Sequence, residues 1–184
     1  MVATATIVGS AVTVGKALYS TLGYNAEVII TNETSDALLH HTYYAGHGDI
    51  VPSGNLPAIA PWYPSADDPS DHLVFQAAVT LSGKRAPAVV MEWKFASREM
   101  YLLVFAYLGG AGQQNAGFFQ LLRKPIEPST WWENNVEKSK TWFYHGDVNH
   151  HCDMTLDGIR VTGEIDNGNP AEFSILLTEA QLTH

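Results

Sequence analysis

The chain has 184 residues, of which 46% are hydrophobic and 16% charged, and its formal net charge is −9 at pH 7. This length suits a single globular domain over residues 1–184 with its own hydrophobic core. Because 19 acidic residues outnumber 10 basic ones, the composition argues against a nucleic-acid partner and against attraction to anionic lipid at neutral pH. A single cysteine excludes an internal disulfide framework.

The first 25 residues carry one charge, Lys16, and an apolar stripe at helical spacing. As a helix, residues 4–22 would span about 28 Å, close to the roughly 30 Å hydrocarbon thickness of a bilayer. The stripe predicts an amphipathic helix over 4–23 that covers either a face of the protein or lipid. A strand remains open, because Val, Thr and Gly are poor helix formers. The stripe consists of Ile7, Val8, Ala11, Val12, Val14, Leu18 and Leu22.

Most of the remaining chain has the pattern of β-strands and turns. Strands are predicted over 26–31, 37–44, 72–81, 87–96, 99–108 and 118–123, with a hairpin over 154–165 and a last strand over 171–180. The hairpin turn is Asp157-Gly158, a favoured two-residue turn sequence. Residues 45–71 hold five prolines, which predicts a long surface loop with at most short strand pieces. Strands without regular helix–strand alternation indicate a mainly β protein, an antiparallel β-sandwich flanked by the first helix and one later helix.

That later helix is predicted over residues 129–140. Thr130 and Glu133 have the spacing of a capping box, in which each side chain accepts a hydrogen bond from a free backbone N–H group. Trp131 and Trp132 are adjacent, so we expect at least one of them to be partly exposed. The alternative is that Trp132 and Phe143 anchor the helix to the sheet.

Histidines are numerous, and those near the end of the chain could suggest a metal site. His145, His150 and His151 lie close to Cys152, but this spacing matches no familiar zinc arrangement. A polar loop is therefore predicted, without a metal. Protonating all eight histidines would move the formal charge from −9 to −1. This change suggests the hypothesis that acidification promotes membrane binding.

Signatures of enzymes are weak. The sequence lacks a G-x-S-x-G elbow, a P-loop, a dinucleotide-binding G-x-G-x-x-G and an H-E-x-x-H motif. Glu92 and Glu99 could form a pair of glycosidase carboxylates, but carboxylates on strands more often face solvent. We therefore expect no enzymatic activity, no catalytic residues and no cofactor.

Several segments occur in an order that resembles a known family. They are the strand with the turn Asn32-Glu33-Thr34, the pair Thr42-Tyr43-Tyr44 and Gly48-Asp49-Ile50-Val51, and the segment Phe143-Tyr144-His145. Together with the apolar first segment ending in LYSTLG, this order resembles the actinoporins, the small pore-forming cytolysins of sea anemones, and their relatives in other kingdoms. The resemblance extends over nearly the whole chain.

The resemblance implies a function as well as a fold. It implies a secreted protein that is soluble at first, binds a lipid or glycan receptor on a target-cell membrane, self-assembles there and inserts the detachable segment 4–23 to line a pore. It also implies an aromatic surface that contacts the membrane or receptor. In this chain that surface would comprise Tyr43, Tyr44, Trp131, Trp132, Phe143 and Tyr144.

The departures from the family pattern concern its phosphocholine site. Ala45 and Gly46 stand where the family has a serine, and the stretch Gly109–Gly117 contains no aromatic residue. These differences suggest a receptor other than phosphocholine, such as a glycan or a protein. A second interpretation is a sugar-binding protein, since fungal fruit-body lectins share a related fold without the inserting helix. A third is a structural interaction domain.

Overall fold

The described residues form ten strands in two β-sheets in the computed structural model, which describes residues 24–51, 56–61, 75–83, 87–108, 115–137, 152–166, 168 and 171–180. The strand order is β3-β4-β1-β10-β9-β8 in the six-stranded sheet and β2-β5-β6-β7 in the four-stranded sheet. The strands are β1 (Tyr24–Glu33), β2 (Leu38–His47), β3 (Asp49–Val51), β4 (Phe75–Gly83), β5 (Ala88–Phe95), β6 (Tyr101–Tyr107), β7 (Ala116–Leu122), β8 (Cys152–Leu156), β9 (Ile159–Ile165) and β10 (Ala171–Glu179). The predicted β-sandwich is confirmed.

One strand pair departs from antiparallel pairing. β1 and β10 are parallel neighbours in the middle of the six-stranded sheet, where Ile30 pairs with Ile175. Parallel neighbours need a long connection between them, and here the connection is the rest of the sandwich. The first and last described strands therefore hold each other in place.

The main core lies between the two sheets, and the strands that line it alternate as expected for half-buried strands. Along β10, Phe173, Ile175 and Leu177 are buried, whereas Glu172 and Ser174 are exposed. The buried side chains pack against those of the four-stranded sheet in one continuous cluster. The alternation assigns a core face and an outer face to each sheet.

Strand β6 is buried on both faces. Leu102 and Val104 belong to the main core, whereas Leu103 and Phe105 belong to a second apolar cluster on the outer face of the four-stranded sheet. A strand covered on both sides requires a continuous apolar run rather than alternation. The sequence YLLVFAY supplies that run.

The predicted hairpin is confirmed at Asp157-Gly158. Both residues have positive φ, 48° and 79°, as the favoured two-residue hairpin turn requires. The guanidinium of Arg123 donates to the Asp157 carboxylate at 2.7 Å, which joins the end of β7 to the turn.

The later helix begins earlier than the sequence predicts. Helix α1 spans Pro128–Trp132, and a single π-helical turn, Glu133–Glu137, continues it. Thr130 therefore lies inside the helix, Glu127 precedes it without a side-chain cap, and the capping-box prediction is wrong. The reason is Pro128, whose fixed φ and missing N–H suit the first helical position. No described helix is long and apolar enough to cross a bilayer; the predicted first helix over 4–23 and residues 138–140 of the later one lie outside the described residues.

Candidate functional site

The outer face of the four-stranded sheet carries the second apolar cluster, and α1 lies on it. The buried members are Ala88, Val90, Leu103, Phe105, Trp131, Trp132 and Val136. The cluster joins β5 and β6 to the helix and reaches the edge strand β2 through aromatic contacts. We call the exposed part of β2 beside this cluster the β2 surface, comprising Leu39, His41, Tyr44 and His47.

Both adjacent tryptophans are buried, with Trp131 5% and Trp132 3% exposed. The expectation that one of them is partly exposed is therefore wrong. The alternative is confirmed for Trp132, whereas Phe143 lies outside the described residues. The helix lies along the sheet so that the two rings diverge: Trp131 stacks on Phe118 at 5.7 Å, whereas Trp132 lies against Tyr44 at 6.0 Å and His47 at 5.7 Å. Neighbouring side chains on such a helix can both reach an extended flat surface.

A glycine in β2 makes room for the Trp132 ring. A Cβ atom on Gly46 would lie 2.3 Å from the indole, which is far inside van der Waals contact. Only a residue without a side chain permits this approach. Gly46 thus has a packing reason in this protein.

Strand β2 is an edge strand with two register irregularities, one between His40 and Thr42 and one between Ala45 and His47. Such bulges redirect side chains and are common at sheet edges. Leu39 and Tyr44 pair with Lys94 and Val90 on the outer face. They are the described large hydrophobic side chains that remain exposed, at 44% and 37%.

The predicted membrane or receptor surface is thus divided among different environments. Tyr44 is exposed on the outer face, whereas Tyr43 is half-buried and packs against the main core. Trp131 and Trp132 are buried in the second apolar cluster, where Trp132 contacts Tyr44. Phe143 and Tyr144 lie outside the described residues.

A fully buried carboxylate lies beneath the β2 surface. Glu92 on β5 is 0% exposed, and one of its oxygens is 2.7 Å from Nδ1 of His41. Its other oxygen accepts a hydrogen bond of 2.9 Å from the backbone N–H of Ile126, just before α1. Because His41 is the inserted residue at the first bulge, one carboxylate connects the edge strand, the sheet and the approach to the helix. The expectation that Glu92 faces solvent is wrong.

The other candidate glycosidase carboxylate is elsewhere. Glu99 is exposed and binds the ammonium group of Lys94 at 2.9 Å. The ammonium group also lies 5.8 Å from the centre of the Tyr101 ring. The same tyrosine ring makes an edge contact with the His41 ring, and the two ring centres are 5.4 Å apart. The environments of the two carboxylates differ, since Glu92 is buried beside a histidine and Glu99 is exposed and paired with a half-buried lysine.

Burial raises the pKa of Glu92 above its ordinary value, and the hydrogen bond from Ile126 and the neighbouring His41 oppose this effect. A raised pKa means that the folded protein holds the proton more tightly than the unfolded chain. The contribution of Glu92 to stability is therefore fully present at low pH and is lost as the pH rises through the folded-state pKa.

We expect Glu92→Gln to be at least as stable as the original protein at neutral pH, because the amide keeps an acceptor for Ile126 and removes a buried charge. This advantage should shrink on acidification. Glu92→Leu should instead cost about 1–3 kcal/mol, because the Ile126 N–H group loses its partner. Denaturant unfolding at neutral and acidic pH measures the free energy of unfolding of both variants. Equal destabilisation by Gln and Leu would show that the charge itself is required.

A shallow cavity of about 270 Å³ opens on the outer face of the six-stranded sheet. Its polar groups are the hydroxyls of Thr31, Thr162 and Ser174 and the carboxylate of Glu164. Hydroxyls and a carboxylate can exchange hydrogen bonds with a polar ligand. Within the described ranges, no three His, Cys, Asp or Glu side chains are grouped as metal ligands; the predicted polar loop with His145, His150 and His151 lies outside them.

Comparisons with known proteins bear on the fold. No family model and no curated protein matches the sequence. The crystal structure of the lipid-binding protein Nakanori is similar over 94% of this chain and 79% of that chain, with a TM-score of 0.68 and 10% identity. A lectin from Xerocomus chrysenteron, XCL, matches over 84% of this chain and 99% of that one, with a TM-score of 0.47 and 10% identity. At this identity, the similarity to Nakanori shows a shared fold.

Proposed function

We propose that this protein binds a target membrane through the β2 surface and then permeabilises it with residues 4–23 as self-assembled protomers. The observation that carries the first step is the exposure of Leu39 and Tyr44 on the outer face of β2, where Tyr44 lies against the buried ring of Trp132. The fold shared with a protein named as lipid-binding supports the same step.

The chemistry of the two exposed side chains suits a lipid interface. Tyrosine places an apolar ring among the upper acyl chains and its hydroxyl among the headgroups. Burying an exposed leucine removes apolar area from water and is worth about 1.5–3 kcal/mol when burial is complete. Because Tyr44 lies against Trp132, its ring is already ordered before binding, which reduces the entropy lost on contact.

The second step rests on the sequence of the first segment. Its apolar stripe and single charge suit a helix that exchanges a protein surface for lipid. The sandwich would act as the carrier that delivers this segment to the bilayer. Insertion by several protomers would then form a pore.

A cavity with three side-chain hydroxyls on the outer face of the six-stranded sheet favours glycan binding as a second candidate function. Thr31, Thr162 and Ser174 present donors and acceptors of the kind that bind sugar hydroxyls. A protein that recognised its target only in this way would require a glycan on the membrane.

Vesicles of pure lipid test the proposal against this alternative. We expect binding to such vesicles, and the double variant Leu39→Ala/Tyr44→Ala should bind about tenfold or more weakly, because interfacial burial of two side chains is lost. Leu176→Ala, on the outer face of the other sheet, is the matched control and should bind normally. Cosedimentation with the vesicles measures the binding of the original protein, the double variant and the control variant. Failure of the original protein to bind glycan-free vesicles, or normal binding by the double variant, would contradict the proposal.

A further inference from the structure

We propose that the β2 surface selects electrically neutral, loosely packed lipid bilayers by apolar insertion, independently of the lipid headgroup. This selectivity rests on the proposed membrane function and adds to it the class of lipid surface that is bound. Three features of the described residues carry it: acidic surroundings, a filled space beside Tyr44 and a small exposed apolar area.

The described charged groups around the β2 surface are mostly acidic. The carboxylates are those of Glu92 beside His41, Glu127 close to Glu92, Glu133 directly after Trp132, and Glu99. Lys94 pairs with Leu39 across the two strands, and its charge is balanced by Glu99 at 2.9 Å. An anionic bilayer would therefore be repelled. The bilayer that these charges permit is a neutral one, such as phosphatidylcholine.

The space beside Tyr44 that could enclose a headgroup is occupied by the protein itself. The Trp132 ring lies over Gly46, where it would clash with any side chain, and it contacts the rings of Tyr44 and His47. Recognition of an individual headgroup requires a concave site with converging polar groups. Here the aromatic rings fill that space, so the exposed side chains contact the bilayer as a surface.

The exposed apolar area is small. Leu39 is 44% and Tyr44 37% exposed, so burying the remainder of both in lipid strengthens binding about ten- to a hundredfold. Between closely packed acyl chains, a cavity must first be opened for them, and opening it costs free energy. A loosely packed or strongly curved bilayer already has gaps at its interface. The same two side chains therefore bind well only where lipid packing is loose.

Vesicles that share a headgroup and differ in packing test the dependence on packing. Dioleoyl phosphatidylcholine packs loosely, whereas dipalmitoyl phosphatidylcholine with cholesterol packs closely. In cosedimentation of the full-length protein, we expect about tenfold or more tighter binding to the dioleoyl vesicles. Free phosphocholine should not compete. The Leu39→Ala/Tyr44→Ala variant should lose the preference for dioleoyl vesicles, and the control Leu176→Ala should keep it.

Phosphatidylserine added to the dioleoyl vesicles tests the dependence on charge. We expect binding to weaken as its content rises, and high salt should restore binding to these vesicles while leaving binding to pure phosphatidylcholine unchanged. Glu127→Gln removes a negative charge near the β2 surface and should recover about fivefold on the anionic vesicles. Glu33→Gln, the matched control, makes the same change in net charge on β1 in the other sheet. It should show no comparable recovery.

Three results would overturn the inference: equal binding to loosely and closely packed vesicles, tighter binding to vesicles that contain phosphatidylserine, or competition by free phosphocholine. Failure of the proposed function gives a different pattern, because the original protein then binds none of these vesicles or the Leu39→Ala/Tyr44→Ala variant binds them equally well. If only the selectivity is wrong, the double variant still binds more weakly than the original protein, but on closely packed or anionic vesicles as well.

Discussion

Replacing Trp132 with alanine is expected to lower the free energy of unfolding by about 3–5 kcal/mol, the usual cost of truncating a buried tryptophan. The side chain is 3% exposed and lies between Phe105 on β6 and Tyr44 on the edge strand. Its removal leaves an unfilled space directly above Gly46, where no side chain is present to occupy it.

The same substitution should weaken vesicle binding by more than the lost stability explains, because Tyr44 and His47 both lie against the missing ring. Denaturant unfolding gives the stability, and cosedimentation at a temperature where the variant is fully folded gives the binding.

Trp131→Ala separates the two effects. Trp131 is equally buried but contacts Phe118 and Phe105, away from β2. The Trp131→Ala substitution should therefore lower the free energy of unfolding about as much as Trp132→Ala does, and it should leave vesicle binding by the folded protein unchanged. If both variants bind equally well once folded, Trp132 has no role in supporting the β2 surface.

The strands could be predicted because their signals are local. Asp157-Gly158 occupies a turn whose positive φ angles few other residue pairs adopt easily, and β10 alternates between buried and exposed residues along its length. The observed strand boundaries differ from the predicted ones by a few residues. Strand β2, for example, continues past its predicted end to His47, because its bulges let the pairing continue. Local patterns such as these determine where strands form.

What could not be predicted depends on residues that are far apart in the chain. The parallel pairing of β1 with β10 joins the first and last described strands of the chain, and no neighbouring residues encode it. The burial of Trp132 depends on Gly46 on another element. Glu92 did leave a signal: a carboxylate inside the apolar run AVVMEWKF of a strand buried on both faces must itself be buried. Its partner His41 could not be inferred without the bulge.

Within the segment 4–23, replacing one stripe residue with glutamate is expected to abolish permeabilisation while leaving binding to the vesicle surface intact. Leu18 lies on the predicted apolar stripe, and an acidic side chain inside the bilayer costs about 2.5–3.5 kcal/mol. That cost corresponds to about a hundredfold less inserted segment. Dye release and cosedimentation of Leu18→Glu, measured on the same vesicles, separate insertion from docking.

Ser20→Glu provides the control, because two residues correspond to about 200° around a helix and place this position opposite the stripe. It adds the same charge to the same segment, so net repulsion from the membrane is matched and permeabilisation should persist. If the segment is a helix, Leu18→Glu should therefore release much less dye than Ser20→Glu. If it is a strand, the two variants should release dye equally, since residues two apart share a face of a strand. Equal loss of dye release would thus contradict the helical stripe, and undiminished release by Leu18→Glu would contradict insertion of this segment altogether.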